Sequence, residues 1–361
     1  MADNTESKAK VKADNTERRH TPVYLGIDIS KLNFDAALLE TSTGKPAHRA
    51  FPNTPAGFER LAAWLAERKV HACLEATNTY GDALACFLHE RGHTVSVVNP
   101  VPVKAFGKTL ATRAKTDKAD AALIARFCLM HQPEPWTPPL PEVAELQALV
   151  RRLESLQEMQ QMEINRRDTA PDTLHADLDE HIAFLQAQIE KTRKAIQDHI
   201  DTTPTLKSQS DLLVTIPGIV TIPGIAETTA ASLLSEIGDV RQFASSRQLV
   251  AFAGLDPRVR ESGSSVRGRP CLSKAGSPRL RKALYFPALA ALRFNPAIAA
   301  LRARLLAAGK VKKLIVGAAM RKLLQIAFGV LKSGQPFDAS VCAPVMPKEQ
   351  AKIVEKLALA A

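Results

Sequence analysis

Cysteine is scarce in this chain. The five in 361 residues, Cys73, Cys86, Cys128, Cys271 and Cys342, show no CxxC spacing. Neither a zinc site nor a disulfide framework is indicated, and a reduced cytoplasm fits. No apolar stretch approaches transmembrane length, and residues 1–19 are polar, without the hydrophobic core of a signal peptide; no membrane partner is expected. Acid is missing from one long segment: between Arg258 and Lys332 only Glu261 is acidic, against a long series of Arg and Lys. With a formal charge of +11, this distribution points to a polyanionic partner, because neutralising phosphates dominates affinity for nucleic acids. Aromatics are also few, 5 % of residues. The cations Arg267, Arg269, Lys274, Arg279, Arg281 and Lys282 are therefore read as contacts to a phosphate backbone rather than partners of stacked bases.

The pattern of the remainder predicts two or three domains. Residues 1–22 read as a disordered arm containing a short repeat, Ala2-Asp3-Asn4-Thr5-Glu6 and Ala13-Asp14-Asn15-Thr16-Glu17. Within 23–132, strands are expected at 23–29, 34–39, 48–51, 70–76 and 94–98, and amphipathic helices at 55–69 and 80–91. Three strands followed by helix, strand, helix, strand and helix is the order of the α/β ribonuclease-H-like (RuvC-like) fold, in which the first and fourth strands are neighbours. The proline-rich run 133–141 cannot continue a helix and marks a boundary. Beyond it, 142–167 and 178–200 carry apolar residues at spacings of three and four, predicting either an internal hairpin or, the favoured reading, an intermolecular coiled coil for dimerisation over 142–200. Residues 211–335 form a mostly helical third region, with a tail at 336–361. It opens on Val214-Thr215-Ile216-Pro217-Gly218-Ile219, repeated at once as Val220-Thr221-Ile222-Pro223-Gly224-Ile225. Such a glycine turn before a helix resembles a helix-hairpin-helix, which offers backbone N–H groups to phosphate; the second copy reads as a loop-lengthening insertion.

Four acids stand out. Asp28 and Glu75 each interrupt an apolar strand-like run, where an unpaired carboxylate is costly unless a partner or a metal meets it. Asp117 and Asp120 lie three apart at the start of a helical run, about 5–6 Å apart at Cβ; first-turn acids also suit the helix dipole by themselves. Four carboxylates converging on one point call for a hard divalent cation, magnesium or manganese, and two such ions can clamp a phosphodiester during in-line displacement.

Gly26-Ile27-Asp28-Ile29-Ser30-Lys31, Leu74-Glu75-Ala76-Thr77 and Lys115-Thr116-Asp117-Lys118-Ala119-Asp120-Ala121 resemble the amino-terminal domain of DEDD insertion-sequence transposases, the one-ten family that includes pilin-gene invertases. Thr221-Ile222-Pro223-Gly224-Ile225, Phe243, Gly254-Leu255-Asp256-Pro257, Ser262-Gly263 and the run from Leu272 to Arg281 are similar to that family's carboxy-terminal domain. The resemblance implies a DNA recombinase in which a serine attacks a phosphodiester, metal-bound carboxylates assist, and a structured guide RNA selects donor and target DNA in a homo-oligomer, dimer or tetramer. Ser262 matches the family's Ser-Gly motif and is placed first as nucleophile; Ser273 is second, with a helix N-cap as its other reading. A metal-dependent nuclease such as a RuvC-like Holliday-junction resolvase would need the same four acids but no serine. A sugar-kinase-like ATPase would share Gly26-Ile27-Asp28-Ile29 but needs a second glycine-rich loop that is missing, and a scaffold without activity would not need the acids.

Overall fold

The computed structural model describes residues 22–41, 44–76, 79–110, 116–219, 226–258, 261–262, 266–267 and 271–342, with backbone alone at 261–262, 266–267 and 341–342. The chain divides into two compact units, Met1–Pro138 and Pro139–Ala361, the break falling inside the proline-rich run.

The first unit is built on a five-stranded sheet of β1 (Val23–Ile29), β2 (Asn33–Glu40), β3 (Ala47–Pro52), β4 (Val70–Glu75) and β5 (Thr94–Val98), in the order β3-β2-β1-β4-β5. β1, β2 and β3 pair antiparallel, whereas β4 runs parallel to both β1 and β5. Side chains alternate across each strand. Leu25 and Ile27 turn to one face with Phe34, Leu38, Ala72 and Leu74, packing on Leu61 and Leu65 of α1 (Pro55–Leu65) and Leu84 and Leu88 of α2 (Asp82–Glu90). Each buried Leu or Ile there contributes about 1.5–3 kcal/mol. Several of the few aromatics, Phe34, Phe51, Phe58, Trp64 and Phe87, cluster on this face. The opposite face carries Tyr24, Ala37, Leu39 and Cys73 against Ala121, Ile124, Ala125 and Cys128. α3 (Pro100–Thr109) supplies Val103 to it, and α4 (Asp117–His131) lies directly on β1. The proline-rich run is tied down on β5: Trp136 N–H donates to Val95 O (2.7 Å), and Ser96 Oγ donates to the carbonyls of Pro133 and Glu134.

The second unit is mostly helical. α5 (Pro141–Arg167) and α6 (His175–Thr202) form a hairpin across a short connection. Leu146, Val150, Leu153 and Leu156 meet Leu185, Ile189, Ile196 and Ile200 in the unit's core. The apolar stripe favoured above for an intermolecular coiled coil is thus buried within the chain, because the helix that satisfies it follows immediately in sequence. α7 (Pro204–Leu213), α8 (Ala226–Ile237), α9 (Ser246–Phe252), α10 (Pro278–Phe294), α11 (Pro296–Ala307), α12 (Lys312–Ser333) and α13 (Ala339–Cys342) complete the unit, with two short pairings, β6 (Pro257–Arg258) with β9 (Cys271–Leu272) and β7 (Glu261–Ser262) with β8 (Val266–Arg267). α12 is 22 residues and, contrary to the sequence expectation, long and apolar enough to cross a membrane. Its Ala319, Leu323, Leu324 and Ala327 are instead enclosed in the core.

The first Ile-Pro-Gly-Ile copy also belongs to that core. Ile216 and Ile219 are buried, and Gly218 has φ +110°, a backbone conformation open to glycine. A Cβ there would stand 2.5 Å from Ala291 Cβ, and Asn295 Nδ2 donates to Pro217 O at 3.2 Å. This copy packs a turn against α10 instead of facing a phosphate; the second copy, 220–225, lies outside the described residues.

Candidate active site

Strand alternation and one glycine build the acidic face. Asp28 is two residues beyond Gly26 on β1 and shares its face. A Cβ on Gly26 would stand 2.2 Å from both Ala121 O and Ala125 N, so only glycine lets α4 lie so close to the strand. That approach brings the start of α4 beside Asp28. Thr116 caps α4, its hydroxyl accepting from Ala119 N–H at 3.2 Å, which places Asp117 and Asp120 in the first turn. On β4, Cys73 faces α4, so Glu75 two residues on emerges on the same side, one residue past the Ile27–Leu74 pair. Its charge reaches Cys73, whose thiol is pushed up by the hydrogen bond to Cys128, by burial, and by charges that include Glu75.

The Asp28 carboxyl is held above its ordinary value. Partial burial is the main cause, followed by the charges of Asp120, Asp117 and Asp35, while a hydrogen bond from the backbone of Ile29 opposes them. Asp28 thus sits in a field of like charge. Asp35 was not among the sequence candidates, although it too is an acid in an apolar strand. The β1–β2 register sets it directly opposite Asp28, and His48 Nε2 from β3 hydrogen-bonds its carboxylate at 2.5 Å. Among the described residues no three His, Cys, Asp or Glu side chains come close enough together to hold a metal ion as they stand. The donor set is nevertheless all oxygen, and its mutual repulsion is of the kind a hard cation relieves.

Ser262 lies in the second unit, on β7, its backbone paired with Val266 of β8. Arg267 on β8 pairs with Glu261 in the same ladder, and Arg269 lies outside the described residues. Ser273 does not cap α10. Its N–H donates to Asp256 O (2.8 Å), and the cap is Ser277, whose hydroxyl accepts from Leu280 N–H (3.2 Å) and donates to Glu236 Oε2 (2.8 Å). Pro278 follows at the first helical position, where proline costs no hydrogen bond.

The cations divide into two kinds. Arg281 is turned inward: Nη1 donates to the carbonyls of Ala253 (2.8 Å), Gly276 (2.9 Å) and Ser277 (3.2 Å), and burial lowers its pKa. Through Nη1 it ties Ala253 to Gly276 and Ser277, a structural role beside the phosphate contact expected from sequence. Lys274 is exposed, at φ +55°, an uncommon conformation for a side-chain-bearing residue. Arg279 lies 3.4 Å from Glu154 and 3.8 Å from Glu236, and Lys282 lies 3.4 Å from Glu158. Arg279, Lys282, Arg151, Glu154 and Glu158 line an open cleft of about 250 Å³. Exposed ion pairs like these contribute about 0–1 kcal/mol and open readily.

The sequence of both units is similar to that of known proteins. Residues 25–173 match a family model described as a DEDD transposase, and residues 212–303 match one described as "Transposase IS116/IS110/IS902 family". The pilin gene-inverting protein of Moraxella bovis is 34 % identical over 324 residues, 88 % of this chain and 98 % of that protein. Its counterpart from Moraxella lacunata matches at the same 34 % and the same coverage. The transposase for insertion sequence element IS1328 of Yersinia enterocolitica is 26 % identical over 294 residues, 72 % of this chain and 81 % of that protein. Matches to both family models and near full-length identity above 30 % have one consequence: the chain belongs to the IS110 family of insertion-sequence transposases.

Proposed function

We propose that this transposase cuts and rejoins DNA through a covalent phosphoserine link, with Ser262 as nucleophile and Asp28, Glu75, Asp117 and Asp120 as the assisting carboxylates. The observation that carries the reading is the position of Asp28, part-buried and facing the charges of Asp120, Asp117 and Asp35. Uncompensated like charge is costly to maintain and persists where function uses it. The strand order and the β1–β4 parallel pair support a ribonuclease-H-like reading of the sheet. The four carboxylates would hold magnesium or manganese, which when bound would neutralise charge developing on the phosphate.

In the first step the Ser262 oxygen attacks phosphorus; the Oγ–P bond forms, the P–O bond to the deoxyribose breaks, and the hydroxyl proton passes by way of a base to the departing oxygen. In the second, a deoxyribose hydroxyl of a new strand attacks the same phosphorus, the Oγ–P bond breaks, and the serine recovers its proton. One phosphoester is exchanged for another each time, so no ATP is consumed. The reading requires the serine of one unit and the acids of the other to act on one phosphorus within a homo-oligomer. Lys274, Arg279 and Lys282 would hold the DNA backbone, the last two after releasing Glu154, Glu236 and Glu158. A guide RNA selecting the DNA belongs to the same proposal and rests on the family resemblance.

Ser262→Ala should abolish a denaturation-resistant protein–DNA adduct on element-end DNA while leaving DNA binding intact. An undiminished adduct in Ser262→Ala that disappears in Ser273→Ala would reassign the nucleophile.

A further inference from the structure

The outward face of α10 combines features that the sequence did not reveal. Leu280, Leu284, Pro287, Ala288 and Ala291 turn into the core. On the other side Arg279, Lys282, Phe286, Leu289 and Arg293 follow one another at spacings of three and four residues, a single row along the helix. Phe286 is 62 % exposed, Tyr285 beside it 46 %, and Phe294 50 %. The Tyr285 and Phe286 rings stand edge to face at 5.4 Å, and the Arg293 guanidinium lies 5.3 Å from the Phe294 ring. Aromatics are few in this protein, and most of the others are spent in cores. Two adjoining exposed rings in a row with cations, and a third at the end of the same helix, need an occupant.

Charge selects it. No acidic residue occurs from Ser262 to Lys332, and the acids that reach the row, Glu154, Glu158 and Glu236, meet only its Arg279–Lys282 end in exposed pairs that open readily, so the row favours a polyanion. A second copy of the chain crossing antiparallel by a two-fold axis would set Lys282 against Arg293, like charge on like. A nucleic acid strand answers both features: phosphates meet the cations and base planes meet the rings. A duplex cannot, because its bases are stacked inside. Recombination supplies the right species, since a strand that leaves one duplex for another passes through an unpaired state.

We infer that the Tyr285–Phe286 face of α10 is a stacking platform for an unpaired DNA strand during exchange. The inference rests on the recombinase reading but involves neither the acids nor Ser262. Tyr285 and Phe286 point away from the core, so their removal leaves the fold in place.

The test is fluorescence anisotropy of the full-length chain with an oligothymidylate of about 16 nucleotides, with a duplex, and with the matching oligouridylate. Phe286→Ala should weaken oligothymidylate binding about tenfold and leave duplex binding unchanged. Phe184→Ala, which removes an equally exposed ring from α6, should do neither. Phe286→Trp should retain affinity and show quenched indole emission when the strand binds. An unchanged affinity for Phe286→Ala, or an equal loss on duplex, overturns the platform. A preference of about tenfold for oligouridylate overturns the assignment to DNA in favour of RNA. Dissociation of an oligomer by Phe286→Ala, with strand binding intact, overturns it in favour of a self-interface. A wild-type chain that binds no DNA in any form would strike at the recombinase reading itself.

Discussion

The two units treat charge in opposite ways. On the sheet of the first, Asp28 faces Asp120, Asp117 and Asp35, and like charge is left close to like. Along α10 of the second, Arg279 and Lys282 have Glu154, Glu236 and Glu158 within reach, and one nitrogen of Arg281 donates to three carbonyls. Where charges are matched they hold the fold together or wait in pairs that cost little to open. Where they are unmatched the fold bears a cost, and that cost marks the site where chemistry is sought.

Substituting Asp28 tests the contrast hardest. Asp28→Asn should reduce recombination at least about a hundredfold, the scale for losing one group that stabilises developing charge. The same change should raise the unfolding temperature of metal-free protein at neutral pH. The folded-state carboxyl has its pKa raised, so its stabilising contribution is present below the unfolded value of 3.8 and is lost as pH rises through the folded one. Asparagine removes that loss. A variant that is inactive but no more stable than wild type in chelator would contradict the picture of crowded like charge.

Next in size is the contact that creates the crowding. Gly26→Val forces α4 away from β1, and overpacking of this kind costs about 1–3 kcal/mol or more; urea unfolding should show the loss, with activity falling alongside it. An unperturbed stability would mean that the helix can shift without cost.

Within the second unit, Arg281→Gln should lower stability by about 1.5–3 kcal/mol, the range for hydrogen bonds to a charged group. Lys274→Ala should leave stability alone and reduce the salt slope of DNA binding by about 1. If Arg281→Gln instead weakened DNA binding without affecting unfolding, the division between clamping and contacting cations would fail.

Much of the first unit was legible because strands with one acid in an apolar run violate a simple period. Asp28 and Glu75 were visible for that reason, and Asp117 and Asp120 from their spacing after Thr116. Asp35 breaks the same rule, yet only the pairing register shows it lying opposite Asp28. In the second unit the apolar stripes of α5 and α6 announced helices but not their partner, as heptads are silent on whether the mate is in the same chain. The cap of α10 is readable in Ser277-Pro278, where a hydroxyl precedes a proline, whereas Ser273, for which a cap is the other reading, lies four residues too early. Arg281 could not be told from Lys282, because a one-residue step along a helix turns a side chain by about 100° and decides between core and solvent.

By itself the sequence determined the order of the elements, which residues are acidic within strands, and the long segment nearly free of acid. These are local properties, set by side-chain period and composition. Tertiary structure alone decided that α4 lies on Gly26, that Asp35 stands across from Asp28, that the first Ile-Pro-Gly-Ile copy is core, and that three rings of α10 face outward. Each depends on register or on packing between elements distant in the chain, where the free energy resides in contacts that no window of sequence contains.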